Sequence, residues 1–479
     1  MWQSVFMISG YIVGILGLIM LIPAGFDAAN EIDALGSPFV VSSLITMFCG
    51  FSLFLSNYAK IDRITLKQGY LITVFSWLLV SGFSALPFVL HHSVNSVTDA
   101  VFEATSGITG TGATIMTDIE VLPASILLWR SLLNYIGGLG IVIFAVALLP
   151  FLGIGGMQIF QRENSDSNEK FMPRFSYIAK RIVFMYIILT IFAGIVLWVL
   201  GMNWFDAVNH AMSAISTGGF STKNASIGAF SSLPIEISMM FFMFMGAVPM
   251  TFYILLFRHQ EADKNKQVRT LIHTIFFMGC IFCLYMYSVT DYSLLEALHY
   301  GLFTVVSIIT TTGFFANNYI EWGVWVTAVI LFLSLIGGCT GSTCGSIKIL
   351  RWQVLGAFFK KYFIAAVNPH RVVPLKIGSI NMSEKVGVSV FIYVLAFIVC
   401  LMVLTLVVSM TGLDLNTSLA AVTACITNVG AGSVASIGPV GNYFFFSETA
   451  KYILCFAMLL GRLEIITILV VISRSFWWV

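Results

Sequence analysis

Residues 307–315 read SIITTTGFF, three threonines and a glycine set between apolar neighbours. Taken alone, Ile309-Thr310-Thr311-Thr312-Gly313 is a helix end, because glycine commonly closes a helix in a left-handed conformation. Recurrence changes that reading. The pattern Ile, then Ser or Thr, two residues, then Gly is met again at Ile108-Thr109-Gly110-Thr111-Gly112, Ile215-Ser216-Thr217-Gly218-Gly219 and Ile426-Thr427-Asn428-Val429-Gly430, and nowhere else. The four final glycines are 107, 94 and 117 residues apart, which leaves room each time for an outgoing helix, a loop and a returning helix. Self-similarity in a fixed order of elements defines a repeat architecture.

The surroundings are written for lipid. The 479 residues are 58% hydrophobic and 10% charged, against about 25% charged in a soluble domain. A membrane-crossing helix needs roughly 20 apolar residues, and ten segments qualify: about 2–25, 38–58, 70–91, 124–150, 180–201, 231–257, 270–289, 323–350, 387–411 and 443–473. Four shorter helix-like segments, 99–108, 206–215, 297–309 and 416–426, each precede one glycine loop and are too short to cross. They read as half-helices that enter the membrane and turn back. The first apolar segment is too long for a signal h-region and lacks a basic flank, so no cleavable signal is expected. The eight cysteines are scattered, and Cys280-x-x-Cys283 lies in an apolar stretch without a third ligand, so packing is its expected role.

Basic residues set the orientation. With the N-terminus inside, 20 of the 24 lysines and arginines fall on one side. They include Lys60, Arg63 and Lys67, then Arg162, Lys170 and Arg174, then Arg258, Lys264 and Arg269, and a last group from Lys348 to Lys385. The first outside loop, FDAANEIDALGS at 26–37, is acidic, and all four glycine loops come to the outer face. The expected fold is an all-α polytopic membrane protein. Four parallel membrane–pore-loop–membrane repeats surround a pseudo-fourfold central pore, with two extra N-terminal helices. Residues 1–69 hold those two helices, 70–179 and 180–269 the first two repeats, 270–385 the third and 386–479 the fourth.

Irregular backbone at membrane depth is tolerated only where it is buried in protein or lines a watery cavity. Four such loops about one axis can turn carbonyl oxygens inward and replace the hydration shell of a cation, as potassium channel filters do. The hydroxyls of Thr109, Ser216, Thr310 and Thr427 would add an oxygen ring, and each half-helix points its partly negative C-terminus at the centre. These loops resemble those of the Trk/Ktr/HKT superfamily of cation transporters, most closely the TrkH-type bacterial potassium uptake subunits. That resemblance implies potassium as the permeant ion, since glycine stands in all four repeats at Gly112, Gly219, Gly313 and Gly430. It also implies a bacterial inner-membrane location, a homodimer and a cytoplasmic ring of nucleotide-binding domains, TrkA-like, docking on the basic stretches 162–181 and 351–385. No further cofactor and no nucleic acid are expected. The potassium channel motif TVGYG is absent and the four quarters differ; the resemblance implies a less stringent filter, through which rubidium and some sodium are expected to pass.

Two features read as a gate. IGGCTGSTCGS at 336–346 holds Gly337, Gly338, Gly341 and Gly345 with Thr340, Ser342 and Thr343. Glycine costs about 1 kcal/mol against alanine inside a helix, so the segment is either a break or a surface for close helix packing. The family resemblance makes it an intramembrane loop under the filter. The other feature is Arg462, 12 residues before Arg474 on what reads as one helix and hence about 18 Å deeper. An intramembrane arginine is expensive; pairing with Glu464 is the alternative, disfavoured because residues two apart do not share a helix face. Gly137-Gly138 and Gly246 with Pro249 read as packing or mild kinks. Arg130 and Lys451 either pair with Glu103 or another pore-helix acid, or anchor at the interface. His210 and His299 read as packed or capping residues. The sequence has no H-E-x-x-H, no G-x-S-x-G and no paired intramembrane aspartates, so a membrane enzyme is excluded. A gated potassium conduit is the reading, with a secondary transporter coupling potassium to sodium or protons as the alternative.

Overall fold

A computed structural model describes residues 2–29, 37–58, 64–147, 171–257, 265–377 and 380–478. Lys60, Arg63, Arg162, Lys170, Arg258 and Lys264, invoked for orientation, lie outside these residues, as does most of the acidic 26–37 loop. Among the described residues the only strands are a two-residue pair, Lys376–Ile377 with Ile380–Asn381. Everything else that is regular is helix.

Among the described residues seven helices or helix pairs are long and apolar enough to cross: Trp2–Ala29, Pro38–Ser56, Leu66–Leu90, Ala124–Phe144, Tyr177–Val199, Lys266–Val289 and Glu384–Ser409. The three remaining expected crossings are interrupted. Leu233–Ala247 and Met250–Leu256 meet at 96°, and Glu448–Arg462 and Ile465–Ile472 meet at 112°. In the third repeat Val324–Ser334 stops, the chain runs irregularly through 335–348, and helix resumes at Ile349–Val367.

The bend beyond Gly246 is therefore no mild kink, which corrects the sequence reading. Pro249 lacks an N–H and pushes the residue before it out of helical conformation; Val248 is extended, with φ −85° and ψ 144°. The Gly137-Gly138 pair behaves as expected, inside an unbroken helix from Ala124 to Ala147. The single continuous helix assumed between Arg462 and Arg474 is also corrected. Glu464, between the two halves, takes φ +65°, and the 18 Å depth estimate falls with the continuity. What places Arg462 is its neighbours, given below.

The four half-helices are Val97–Thr109, Trp204–Ile215, Leu294–Ile309 and Leu415–Ile426, of 13, 12, 16 and 12 residues. Each starts at a side-chain cap. Ser96, Asn203, Ser293 and Asp414 accept the amides of Asp99, Asp206, Glu296 and Thr417, respectively. Such caps satisfy helix-end donors that have no intrahelical partner. Hydrogen bonds from the Thr417 hydroxyl and amide hold the exposed Asp414 carboxyl below its ordinary value.

The N-terminal pair packs through small residues. A side chain at Gly50 would overlap the Gly14 backbone, and one at Gly10 would meet Phe54 N at 2.7 Å. Close backbone approach of this kind drives helix association in lipid, where apolar burial adds little. Ser9 Oγ and Ser76 Oγ, 2.8 Å apart, tie the first of these helices to the first repeat.

Candidate functional site

The half-helices end where the repeated motif predicts, and the loops after them share one backbone form. Gly112, Gly219, Gly313 and Gly430 have φ of +77°, +79°, +82° and +74°. Two residues earlier, Gly110, Thr217, Thr311 and Asn428 have φ of +62°, +52°, +54° and +56°. The residues between, Thr111, Gly218, Thr312 and Val429, do not. Four stretches of different sequence thus fold alike.

They also close on one another. A side chain at Gly112 would run into the carbonyl of Gly218, one at Gly219 into that of Thr312, one at Gly313 into that of Val429, and one at Gly430 into that of Thr111. The order first, second, third, fourth, first is a complete circuit. Glycine is needed here twice over, for the left-handed φ and for the carbonyl of the next loop. On one side of the circuit all four glycines reach a shared cavity of about 510 Å³, whose wall includes Arg130, Ser221, Lys223 and Tyr443.

Beneath the glycines the helix-end hydroxyls donate back to their own helices. Thr109 and Thr427 bond the carbonyls of Thr105 and Thr423, each at 2.7 Å, and Ser216 and Thr310 bond Ser213 and Ser307 at 3.1 and 3.3 Å. Thr109 and Thr310 then accept from the hydroxyls of Thr111 and Thr312, 2.7 and 2.8 Å away. Asn428 Nδ2 lies 3.0 Å from Thr111 Oγ1 and 3.0 Å from the Met458 carbonyl, linking the fourth loop to the first.

Returning helices come close behind the loops. A side chain at Gly137 would overlap the Ile108 carbonyl and one at Gly461 the Ile426 carbonyl, while at Gly246 the Ile215 carbonyl is 2.8 Å away. Buried charges brace the other face. Arg130 Nε is 2.8 Å from Glu103 Oε1, its Nη1 donates to Ser221 O, and its guanidinium lies 4.2 Å over Phe220. Lys451 Nζ is 2.6 Å from Asp99 Oδ1. Pairing with pore-helix acids is thus the structure's choice between the two readings of these cations. Removing one partner of a buried pair strands the other at roughly 3–5 kcal/mol. Glu103→Gln is expected to lower thermal stability in detergent by that order, with part recovered by adding Arg130→Met; an unchanged unfolding midpoint counts against the brace.

The 335–348 segment lies on the opposite side of the circuit from the cavity and is buried. Gly337, Gly338, Thr340, Gly341, Ser342 and Gly345 all lie in it, without helix. It caps the break in the second repeat: Cys339 N donates to Ala247 O at 3.0 Å and Met250 N to Gly341 O at 3.3 Å. It also touches three glycine loops, through Thr343 to Thr217, Gly345 to Thr311, and Gly345 against Thr427 and Asn428. Arg462 is 3% exposed. Its Nη1 donates to Thr343 O at 2.7 Å and Nη2 to Gly137 O at 3.3 Å, and it lies directly under Gly110. Glu464 pairs instead with Arg351 at 2.6 Å, and Lys348 is 4.0 Å away.

A closed circuit of four unlike loops inside one chain, with a broken helix and an arginine beneath it, is a distinctive arrangement. The family model for TrkH, a cation transport protein, matches residues 37–477. The chain belongs to the TrkH family. It is 34% identical to the Trk system potassium uptake protein TrkH of Vibrio parahaemolyticus over 99% of each chain. It is 36% identical to TrkI of Halomonas elongata over 86% of this chain and 84% of that one. The crystal structure of the potassium transporter TrkH from Vibrio parahaemolyticus superposes with a TM-score of 0.91, at 32% identity and full coverage of both. This TrkH-family chain is a multi-pass membrane transporter, not an enzyme.

Other contributors carry no sequence signal of their own. Tyr319 and Tyr443 hydroxyls donate to the carbonyls of Gly432 and Gly430, so aromatic residues hold the fourth loop from behind. Asn134 packs against Gly218 and reaches Ser213 Oγ at 3.1 Å. His210, buried, holds Asp206 O and Ser221 Oγ at 2.8 and 2.9 Å, the packed role expected of it. His299 lies 3.0 Å from Glu236. Asn134, His210 and His299 are single polar residues within helices, while Tyr319 and Tyr443 lie in short connecting stretches, and nothing in their spacing sets them apart from packing.

Proposed function

We propose that the chain is a gated, potassium-selective conduit for uptake across a bacterial inner membrane, with its N-terminus in the cytoplasm. The observation that carries this is the circuit of four left-handed glycines, each against the carbonyl of the next loop. The residues 109–112, 216–219, 310–313 and 427–430 form the filter, and the 510 Å³ cavity above them is the outer vestibule. A dehydrated cation at the centre faces carbonyl oxygens from four sides and the negative ends of four half-helices. The relatives' names as potassium uptake proteins support that ion. The 335–348 segment and Arg462 form the gate. A positive charge below the filter opposes cation passage until the gate moves.

The conduit needs no chemistry of its own, since about 2.3 kcal/mol per charge at 100 mV draws cations inward. Control by nucleotide then belongs to a partner, a TrkA-like cytoplasmic ring seated on the inner face. Exposed Lys360, Arg371, Lys376 and Lys385 offer it a basic surface; the 162–170 part of the other expected surface lies outside the described residues. The working unit is a homodimer. Purified chain in liposomes is expected to pass potassium with a potassium gradient alone. Flux that appears only when a sodium or proton gradient is imposed overturns the conduit in favour of a coupled transporter.

A further inference from the structure

The four left-handed residues two positions before the filter glycines all face the gate assembly. Gly110 lies 3.3 Å from Arg462 Nη2, measured from where its side chain would begin. Thr217 Oγ1 donates to Thr343 Oγ1 at 3.1 Å. Thr311 Oγ1 accepts from Gly345 N at 3.0 Å. Asn428 meets Gly345, whose side chain would begin 2.9 Å from Asn428 Oδ1. Three of the four are not glycine, and a β-branched residue at positive φ is a genuine outlier, at a cost of order 1–3 kcal/mol. Such a conformation persists only where its surroundings hold it. For Thr217 and Thr311 the surroundings are hydroxyl contacts to the loop, at sites with no exposed surface.

Thr343 is the node. Its one hydroxyl proton is shared between the carbonyls of Ile215 at 3.1 Å and Gly246 at 3.0 Å, and its oxygen accepts from Thr217. Ile215 immediately precedes the second filter stretch, and Gly246 precedes the Pro249 bend. Its own carbonyl accepts from Arg462. When the loop withdraws, Thr217 loses its acceptor in a dry site and the restraint on its left-handed backbone goes with it.

We infer that Thr343 is a positioning residue for ion selectivity: the loop is a template that holds the second and third filter strands in shape, besides obstructing the path. This rests on the filter reading given above. Because linkage is reciprocal, an ion that fits the filter also favours the loop's seated position.

The test measures potassium flux and the potassium-to-sodium permeability ratio separately, on full-length protein in liposomes. Thr343→Val keeps the shape and removes the hydroxyl. It is expected to raise flux and to lower the ratio by about two- to tenfold, the worth of one hydrogen bond. Thr343→Ser, which restores the hydroxyl, is expected to bring the ratio back towards wild type. A Thr343→Val protein with raised flux and an unchanged ratio makes the loop a plug only and overturns the template, as does a ratio that Thr343→Ser fails to restore or a variant equal to wild type in both readouts. Gly313→Ser is run alongside. If it shifts the ratio while Thr343→Val does not, the template fails and the filter stands; if Gly313→Ser leaves the ratio unchanged, the filter reading fails and takes the template with it.

Discussion

Potassium flux through the Arg462→Ala protein is expected to exceed wild type by about ten- to a hundredfold, with the ion ratio unchanged. At an effective dielectric constant near 20, one charge about 6 Å from a permeating ion is worth roughly 3 kcal/mol. That is about two orders of magnitude in rate. The side chain is buried, its hydrogen bonds go to the Thr343 and Gly137 carbonyls, and among the described residues no carboxylate pairs with it. Selectivity is expected to hold because the loop keeps its contacts through Thr343 Oγ1, Cys344 Sγ and Gly345 N. Arg462→Lys separates charge from contact: it keeps the charge and loses the fork, so flux is expected to stay within a few-fold of wild type. Flux from the alanine variant no higher than wild type ends the electrostatic barrier.

The second large effect belongs to Gly313. A serine there has to adopt φ near +82° and place its Cβ on the Val429 carbonyl. The first is strained and the second is an overlap, so the third and fourth loops are expected to separate and the oxygen circuit to open on one side. A loss of at least about tenfold in the potassium-to-sodium ratio is expected, as one coordinating quarter turns away. Protein amount in the membrane should change little, because the strained contact lies between loops and not in a helix interface. A ratio equal to wild type removes this loop from the filter.

Much of this was open to reading because the four loops solve one problem under one constraint. Left-handed backbone beside a neighbour's carbonyl admits only glycine, so Gly112, Gly219, Gly313 and Gly430 stand at equivalent places despite unlike residues between them. Apolar length revealed the crossings for a similar reason. The breaks were less legible. Pro249 and Gly246 looked like a kink, since nothing nearby in sequence shows that Cys339, Gly341 and Thr343 arrive to satisfy the freed backbone groups. The break after Arg462 has no proline or glycine at Leu463 or Glu464 at all. Glu464 at φ +65° lies at the junction through ion contacts with Arg351 and Lys348, more than a hundred residues away. Long-range polar contacts of this kind leave no periodicity to find.

Encoding all four quarters in one polypeptide frees them from being identical. Were the same pore assembled from four copies of one repeat, any residue at the place of Arg462 would appear four times, and four mutually repelling guanidiniums would crowd a single constriction. Here just one quarter carries the cation, another carries the glycine-rich strap, and a third supplies the bent helix on which that strap rests. On the proposed reading of a filter with a gate beneath it, broken symmetry lets a barrier be graded by one charge at a time, a fineness closed to a homotetramer.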